Sequence, residues 1–299
     1  MDCTHSAQSP MRLALLGAAV FFFFEPLHAE GELSLIAAVP ELPPLEELAD
    51  ILADLTRIEE DRQREKEEDY RNRIRFFQAI AEADKPTFCQ LLNEGLDPDS
   101  ELPFPPPPGF SKKFQDELLR YYVSKEPGLT GLMMATAMGN HEFVKILLMA
   151  GAQPYKTTKR HKTFALWLAG KYQQVEIMQT LLGISEETSR FRISVDLAGQ
   201  HAYFWRGNEI AFDMPISSGS DSHPTPRGRF VVTNKYTKWK STLYHAKMPY
   251  FLRLSCGDFG LHAGYLPGYP ASHGCIRLPP DAAKRLFASV PIGTLVEIR

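Results

Sequence analysis

Hydrophobic and polar positions change their pattern along this chain. Residues 13–24 (LALLGAAVFFFF) form an unbroken apolar run without a charge. Over residues 45–75 the apolar positions thin out and become periodic. Leu48, Ile51, Leu52, Leu55 and Ile58 fall on one stripe of a long helix whose other face is crowded with Glu, Asp and Arg. That pattern predicts a helix with a solvated, charged surface. From about residue 190 the spacing shortens to β-rich runs at 192–196 and 228–232, separated by Gly, Pro, Asn and Ser. Helical periodicity returns at 281–288, and a last β-rich run covers 293–298. The pattern reads as an α+β multidomain chain, all-α first and mostly β at its end.

The region between repeats itself. Ala79 and Ala81 lead to Leu91-Leu92 and Gly95, and the same register returns as Ala135, Ala137, Leu147-Leu148 and Gly151. A third, weaker copy has Leu166, Ala169 and Leu181-Leu182. The second and third copies lie about 34 residues apart, the period of helix-pair repeats. A stiff insertion, Pro103-Phe104-Pro105-Pro106-Pro107-Pro108-Gly109, separates the first copy from the second. The stretch GLTGLMMATAMGNHEFVKILLMAGAQP resembles an ankyrin repeat, with a turn at Gly139-Asn140 and a cap at Gly151. It departs from that pattern at Gly131 and Met133, where Pro and His are usual. A generic helical bundle is the competing reading. Such repeats offer a surface, not chemistry, and His141 and His161 are assigned no role.

A dozen apolar residues cannot cross a bilayer core, which needs roughly 20. Arg12 before the run, its short length and Ala29 after it describe a secretory signal peptide at residues 1–29. Met11 would give the tighter start. An uncleaved anchor or a buried helix is the alternative. Cys3 precedes the run, so a lipoprotein cleavage box is not supported. The reading is an exported protein of the periplasm or cell envelope, with no membrane span after cleavage. A charged helix or linker follows at 30–69, the repeats with their proline insertion at 70–188, and a last domain at 190–299.

Composition adds a contrast. The 299 residues carry a formal net charge of -3, which gives no pointer to nucleic acid. Residues 1–190 hold 20 basic and 29 acidic side chains, whereas 191–299 hold 13 and 7. The four cysteines lack the paired spacing of a zinc site, and no metal or cofactor is expected.

The chemistry lies in the last domain, in Leu261-His262-Ala263-Gly264 and in Ala271-Ser272-His273-Gly274-Cys275-Ile276-Arg277-Leu278. A cysteine nucleophile needs a proton acceptor, a proton donor for the leaving group, and donors for the oxyanion. A nearby histidine serves the first two needs, and backbone N–H groups of a glycine turn serve the third. By itself a Cys-His pair is weak evidence, and a buried structural cysteine competes with it.

The full run HAGYLPGYPASHGCIRL, however, resembles the signature of the L,D-transpeptidase (YkuD-type) catalytic domain, a family of peptidoglycan cross-linking enzymes. Other ordered features fit the same family: Val195-Asp196 with Gln200, Ser218-Gly219, Thr225-Pro226-Arg227-Gly228, Met248-Pro249-Tyr250, Asp281-Ala282 and Gly293-Thr294. The resemblance implies Cys275 as nucleophile and His262 as general base and acid, its ring oriented by the Ala263 carbonyl. The family more often has Gly or Ser at the position of Ala263. It further implies that His273 and Gly274 shape an oxyanion hole with the Cys275 N–H, although His273 could be structural. Arg277 either holds a substrate carboxylate or braces the loop, and Ser272 fixes the loop by hydrogen bonds.

The implied substrates are peptidoglycan stem peptides, and the implied reaction is 3-3 type cross-linking, with carbapenem β-lactams acylating the same cysteine. A hydrolase on the same scaffold, or an inactive wall-binding protein whose repeats recruit a protein partner, are the alternatives. The basic last domain would suit an anionic wall polymer, within the roughly 8 Å over which such fields act in physiological salt. Cys89 and Cys256 are left as two free thiols or a disulfide.

Overall fold

The computed structural model describes residues 44–184, 190–241, 245–255 and 257–299; the candidate signal segment and Cys256 lie outside them. The chain forms two compact units, Met1–Thr56 and Arg57–Arg299. The described part of the first is the opening of helix α1 (Leu45–Glu82), where Ile51, Leu52 and Leu55 are exposed. One unbroken helix therefore runs through residue 70. Among the described residues no helix is long and apolar enough to cross a membrane.

The second unit starts with a stack of helical hairpins. The end of α1 pairs with α2 (Lys85–Asn93), α4 (Gly131–Ala137) with α5 (His141–Met149), and α6 (Ala165–Lys171) with α7 (Val175–Leu181). The three sequence copies share one backbone. Ala83, Gly139 and Gln173 each take a positive φ between paired helices, at 54°, 71° and 53°. The next residue's N–H then returns to the first helix, as Asp84 to Ala79 O at 2.8 Å, Asn140 to Ala135 O at 3.0 Å and Gln174 to Ala169 O at 2.9 Å. Asp84 and Asn140 also cap the second helix, accepting from Thr87 N and Phe143 N. His141, without an assigned role in the sequence, hydrogen-bonds Thr180 at 2.7 Å and so ties α5 to α7.

Packing explains why Gly131 stands where the repeat pattern has proline. A Cβ there would lie 2.6 Å from the Phe76 ring of α1. That ring begins a stack, Phe76 on Phe88 at 5.3 Å and Phe88 on Phe143 at 4.2 Å. Glycine lets α1 close over the repeats.

The segment after the proline insertion and α3 (Glu117–Lys125) are packed into the stack, with Phe110, Phe114, Leu119 and Tyr122 buried, whereas Phe104, Pro105 and Pro108 of the insertion are exposed. Just after α3, the Glu126 carboxylate is fully buried and accepts from the N–H groups of Arg160 and His161 at 2.9 and 2.8 Å. His161 Nδ1 joins it at 2.8 Å. Burial alone would raise the Glu126 pKa, but these bonds and one from Thr158 outweigh it and lower it from 4.5 to about 2. Because the folded value is depressed, the stabilisation is complete above pH 4.5 and lost as pH falls towards 2. It amounts to roughly 3 kcal/mol at pH 7. Urea unfolding of Glu126→Gln at pH 7 should show a loss of about 2–3 kcal/mol, and the acid sensitivity of the parent between these pH values should shrink.

The β region is one eight-stranded sheet, ordered β3-β2-β1-β8-β4-β5-β6-β7. In chain order the strands are β1 (Phe191–Asp196), β2 (His201–Arg206), β3 (Glu209–Pro215), β4 (Gly228–Lys240), β5 (Lys247–Leu254), β6 (Gly260–Ala263), β7 (Ile276–Leu278) and β8 (Leu295–Ile298). Neighbours are antiparallel except β1 with β8 and β6 with β7. Helix α8 (Pro280–Ser289) packs on β5 and β6. The run Phe230-Val231-Val232 is buried without alternation because β4 is covered on both faces. Val231 joins the core of the helical stack, whereas Phe230 and Val232 join the core of the sheet. Gln179 Nε2 donates to Gly293 O at 3.0 Å across the same junction.

Candidate active site

Strand register places the candidate chemistry. β6 and β7 are parallel, with Leu261 beside Ile276, His262 beside Arg277 and Ala263 beside Leu278. Side chains alternate faces along a strand. Leu261, Ala263, Ile276 and Leu278 are buried in the sheet core. His262 and Arg277 therefore share the opposite face, and Cys275 lies in the bend that leads into β7. There they line one cavity of about 460 Å³ with Ala263, Ser272 and His273. Every candidate residue except Gly274 is part of that lining, and Gly274 lies buried in the turn between two of them.

His262 is 7% exposed, and its Nδ1 lies 2.8 Å from the Ala263 carbonyl oxygen. A carbonyl accepts only, so Nδ1 carries the proton and Nε2 keeps a lone pair. Burial pushes the His262 pKa below its ordinary 6.5; the Ala263 carbonyl opposes this and Arg277 adds to it. Burial pushes the half-buried Cys275 thiol up from 9.0, opposed by the Gly260 backbone N–H and by Arg277. Near neutral pH both groups are thus uncharged, a thiol and a neutral imidazole lining one cavity. Arg277 favours the thiolate and disfavours the imidazolium.

The turn before Cys275 is held by hydroxyls. Ser272 Oγ donates to the Cys275 carbonyl, and Thr225 Oγ1 donates to the Gly274 carbonyl at 3.0 Å. In a trans peptide the N–H points opposite to the C=O. Thr225 therefore fixes the direction of the Cys275 N–H, away from itself. Gly274 takes φ +102°, a conformation that a side chain would strain. The loop is strapped further by Ser218, whose carbonyl accepts from Ser272 N at 2.9 Å, and by Gln200, whose Oε1 accepts from Ser218 N at 2.9 Å. The exposed His273 ring lies 4.6 Å from that of His223.

Sequence reasoning did not single out Thr225 as a site residue, nor Trp239, Lys247, Arg253, Asp258 and Tyr265, which also line the cavity. All but Tyr265, which lies within the run HAGYLPGYPASHGCIRL, come from distant strands and turns that no local pattern marks. Among the described residues no His, Cys, Asp or Glu cluster could hold a metal. Cys89 is a free thiol.

A buried imidazole and a thiol lining one cavity, next to an anchored glycine turn, are the kinds of group that nucleophilic acyl transfer needs. Residues 190–298 match the family model of the L,D-transpeptidase catalytic domain, and residues 128–159 that of the ankyrin repeat. A Bacillus licheniformis protein named as the L,D-transpeptidase YkuD is 31% identical over 115 residues, 38% of this chain and 67% of that one. A Bacillus subtilis protein named as the L,D-transpeptidase YciB is 32% identical over 36% of this chain and 64% of its own length. An L,D-transpeptidase structure from Mycobacterium smegmatis aligns at 23% identity and a TM-score of 0.36, over 37% of this chain and 59% of that one. The chain thus spans about two thirds or less of these relatives. It belongs to the L,D-transpeptidase family, with an ankyrin-type helical region ahead of the catalytic domain.

Proposed function

We propose that this protein is an exported L,D-transpeptidase that joins peptidoglycan stem peptides, with residues 190–299 carrying the reaction. The observation that supports it most is that His262 on β6 and Cys275 in the bend before β7 line one cavity. In this reading His262 Nε2 takes the thiol proton as Cys275 Sγ attacks the carbonyl of the diamino acid in a tetrapeptide stem. The oxyanion lies against the Cys275 N–H, whose direction Thr225 sets, with His273 and Gly274 shaping that corner. As the C–N bond breaks, His262 returns the proton to the departing amine, and the terminal D-alanine leaves. An amine of a second stem then attacks the thioester. It gives its proton to His262, and sulfur leaves and is reprotonated. Arg277 holds a substrate carboxylate, and Ser272 keeps the turn in place. Residues 1–29 would address the chain for export.

Two measurements test this. A carbapenem should add covalently, one per chain, with the mass shift on the peptide that contains Cys275; an unmodified protein would favour the inactive wall-binding alternative. Purified muropeptides should yield dimers linked between diamino acids, whereas tripeptides alone would make the protein a hydrolase.

A further inference from the structure

The active cavity has a neighbour. A second cavity of about 410 Å³ lies where α6 and the loop before it face β4, β5 and the turn after β5. Tyr155, Phe164 and Trp167 supply an aromatic wall from the helical region, and Thr233 and Asn234 supply polar groups from β4. Two residues line both cavities, Arg253 and Asp258. They stand at the boundary between the helical stack's side and the cavity of Cys275.

The state of these two residues points to a ligand. The Arg253 guanidinium rests over the Trp239 ring at 5.0 Å, and its Nε is buried without a hydrogen-bond partner. A buried donor without an acceptor is costly, and the Arg253 side chain as a whole is still 29% exposed. Asp258 lies 3.8 Å from Arg253 Nη1, too far for a hydrogen bond, and its side chain is 76% exposed. The boundary therefore offers a partly exposed guanidinium and an exposed carboxylate side by side. Their natural complement is a group with a carboxylate and an ammonium on one carbon, attached to a body that can lie along aromatic rings.

We propose that the second cavity binds the acceptor stem peptide, and that the ankyrin-type helices form one wall of its path. The free amino-acid end of the acceptor's diamino acid sits at the boundary, its carboxylate on Arg253 and its ammonium on Asp258, while the peptide body runs along Tyr155 and Trp167. The amine is then delivered towards the cavity that holds Cys275. This rests on the acyl-transfer reading and gives the helical region a part in selecting the acceptor. The contribution is one that residues 190–298 alone could not make, because Tyr155, Phe164 and Trp167 lie outside them.

The test is a binding cycle on the full chain carrying Cys275→Ala, so that no reaction occurs. By calorimetry this protein is titrated with a stem tripeptide ending in 2,6-diaminopimelate, and with the same peptide after acetylation of its free side-chain amine. The free amine should bind at least roughly tenfold more tightly, the size of a charge-assisted contact. Adding Asp258→Asn should abolish that preference, while Tyr155→Ala should weaken both peptides alike by roughly 3- to 10-fold. Both substituted side chains are largely exposed, so folding is preserved and thermal melts verify it. Equal binding of the two peptides, or a preference that survives Asp258→Asn, would overturn the proposal. Failure of the enzymatic reading shows elsewhere, as no release of D-alanine by the unsubstituted protein.

Discussion

Cys275→Ala is expected to lower D-alanine release from a tetrapeptide stem by at least ~10⁴-fold, with the fold intact. The size follows from the absence of a substitute. The neighbouring hydroxyl, Ser272 Oγ, is committed to the Cys275 carbonyl, and that of Thr225 to the Gly274 carbonyl. Neither can attack without releasing the turn. Cys275→Ser should also be nearly inactive, since a hydroxyl ionises far less readily than a thiol and His262 would have to remove its proton unaided. Discontinuous release assays with matched circular dichroism decide the matter. An alanine variant that kept more than a hundredth of the parent rate would remove Cys275 from the role of nucleophile.

The second large effect concerns His262. His262→Gln should cost roughly 10²–10⁴-fold in kcat/KM, the usual worth of a positioned general base and acid. The pH profile of the parent gives a finer test. The active form has a neutral imidazole and a protonated thiol, so the acid limb should fall below His262's ordinary 6.5 and the alkaline limb above the thiol's ordinary 9.0. Arg277 sets both limbs in the same direction. Its positive charge disfavours the imidazolium and favours the thiolate, lowering both values. In Arg277→Gln both limbs should therefore move to higher pH. A role confined to bracing the loop would change the rate without moving the limbs together.

The candidate site was legible as a cluster because it is local. All seven candidate residues sit within two short stretches, His262 and Ala263 in one and the other five between Ser272 and Arg277, and strand alternation fixes the faces of those on β6 and β7. The helical copies were legible for the same reason, since Gly139-Asn140 and Gly151 mark a turn and a cap in neighbouring positions. What could not be read is what depends on distant packing. Thr225 reaches Gly274 across 49 residues of chain, and nothing in its own neighbourhood announces that contact. Gly131 looked like a defect in a repeat until Phe76 was seen to occupy the space of its missing side chain. Nothing in the sequence marks Glu126, yet it is buried with several donors around it. The exposure of Ile51, Leu52 and Leu55 was hidden likewise, because periodicity shows which residues share a stripe but not whether anything covers it.

The position of β8 carries a consequence for how the protein comes into being. The final strand in chain order lies in the interior of the sheet, joining β1 on one side to β4 on the other. While a nascent chain lacks residues 295–298, the strands around Cys275 and His262 are severed from the β1–β3 meander, and two unpaired edges stand open to stray partners. The closing contacts bring residues 192–195 to 295–298, so their formation is non-local and slow compared with that of the helical hairpins. Closure of the sheet is therefore timed from the far end of the domain: the two parts of the sheet become one only when β8 slides into the gap.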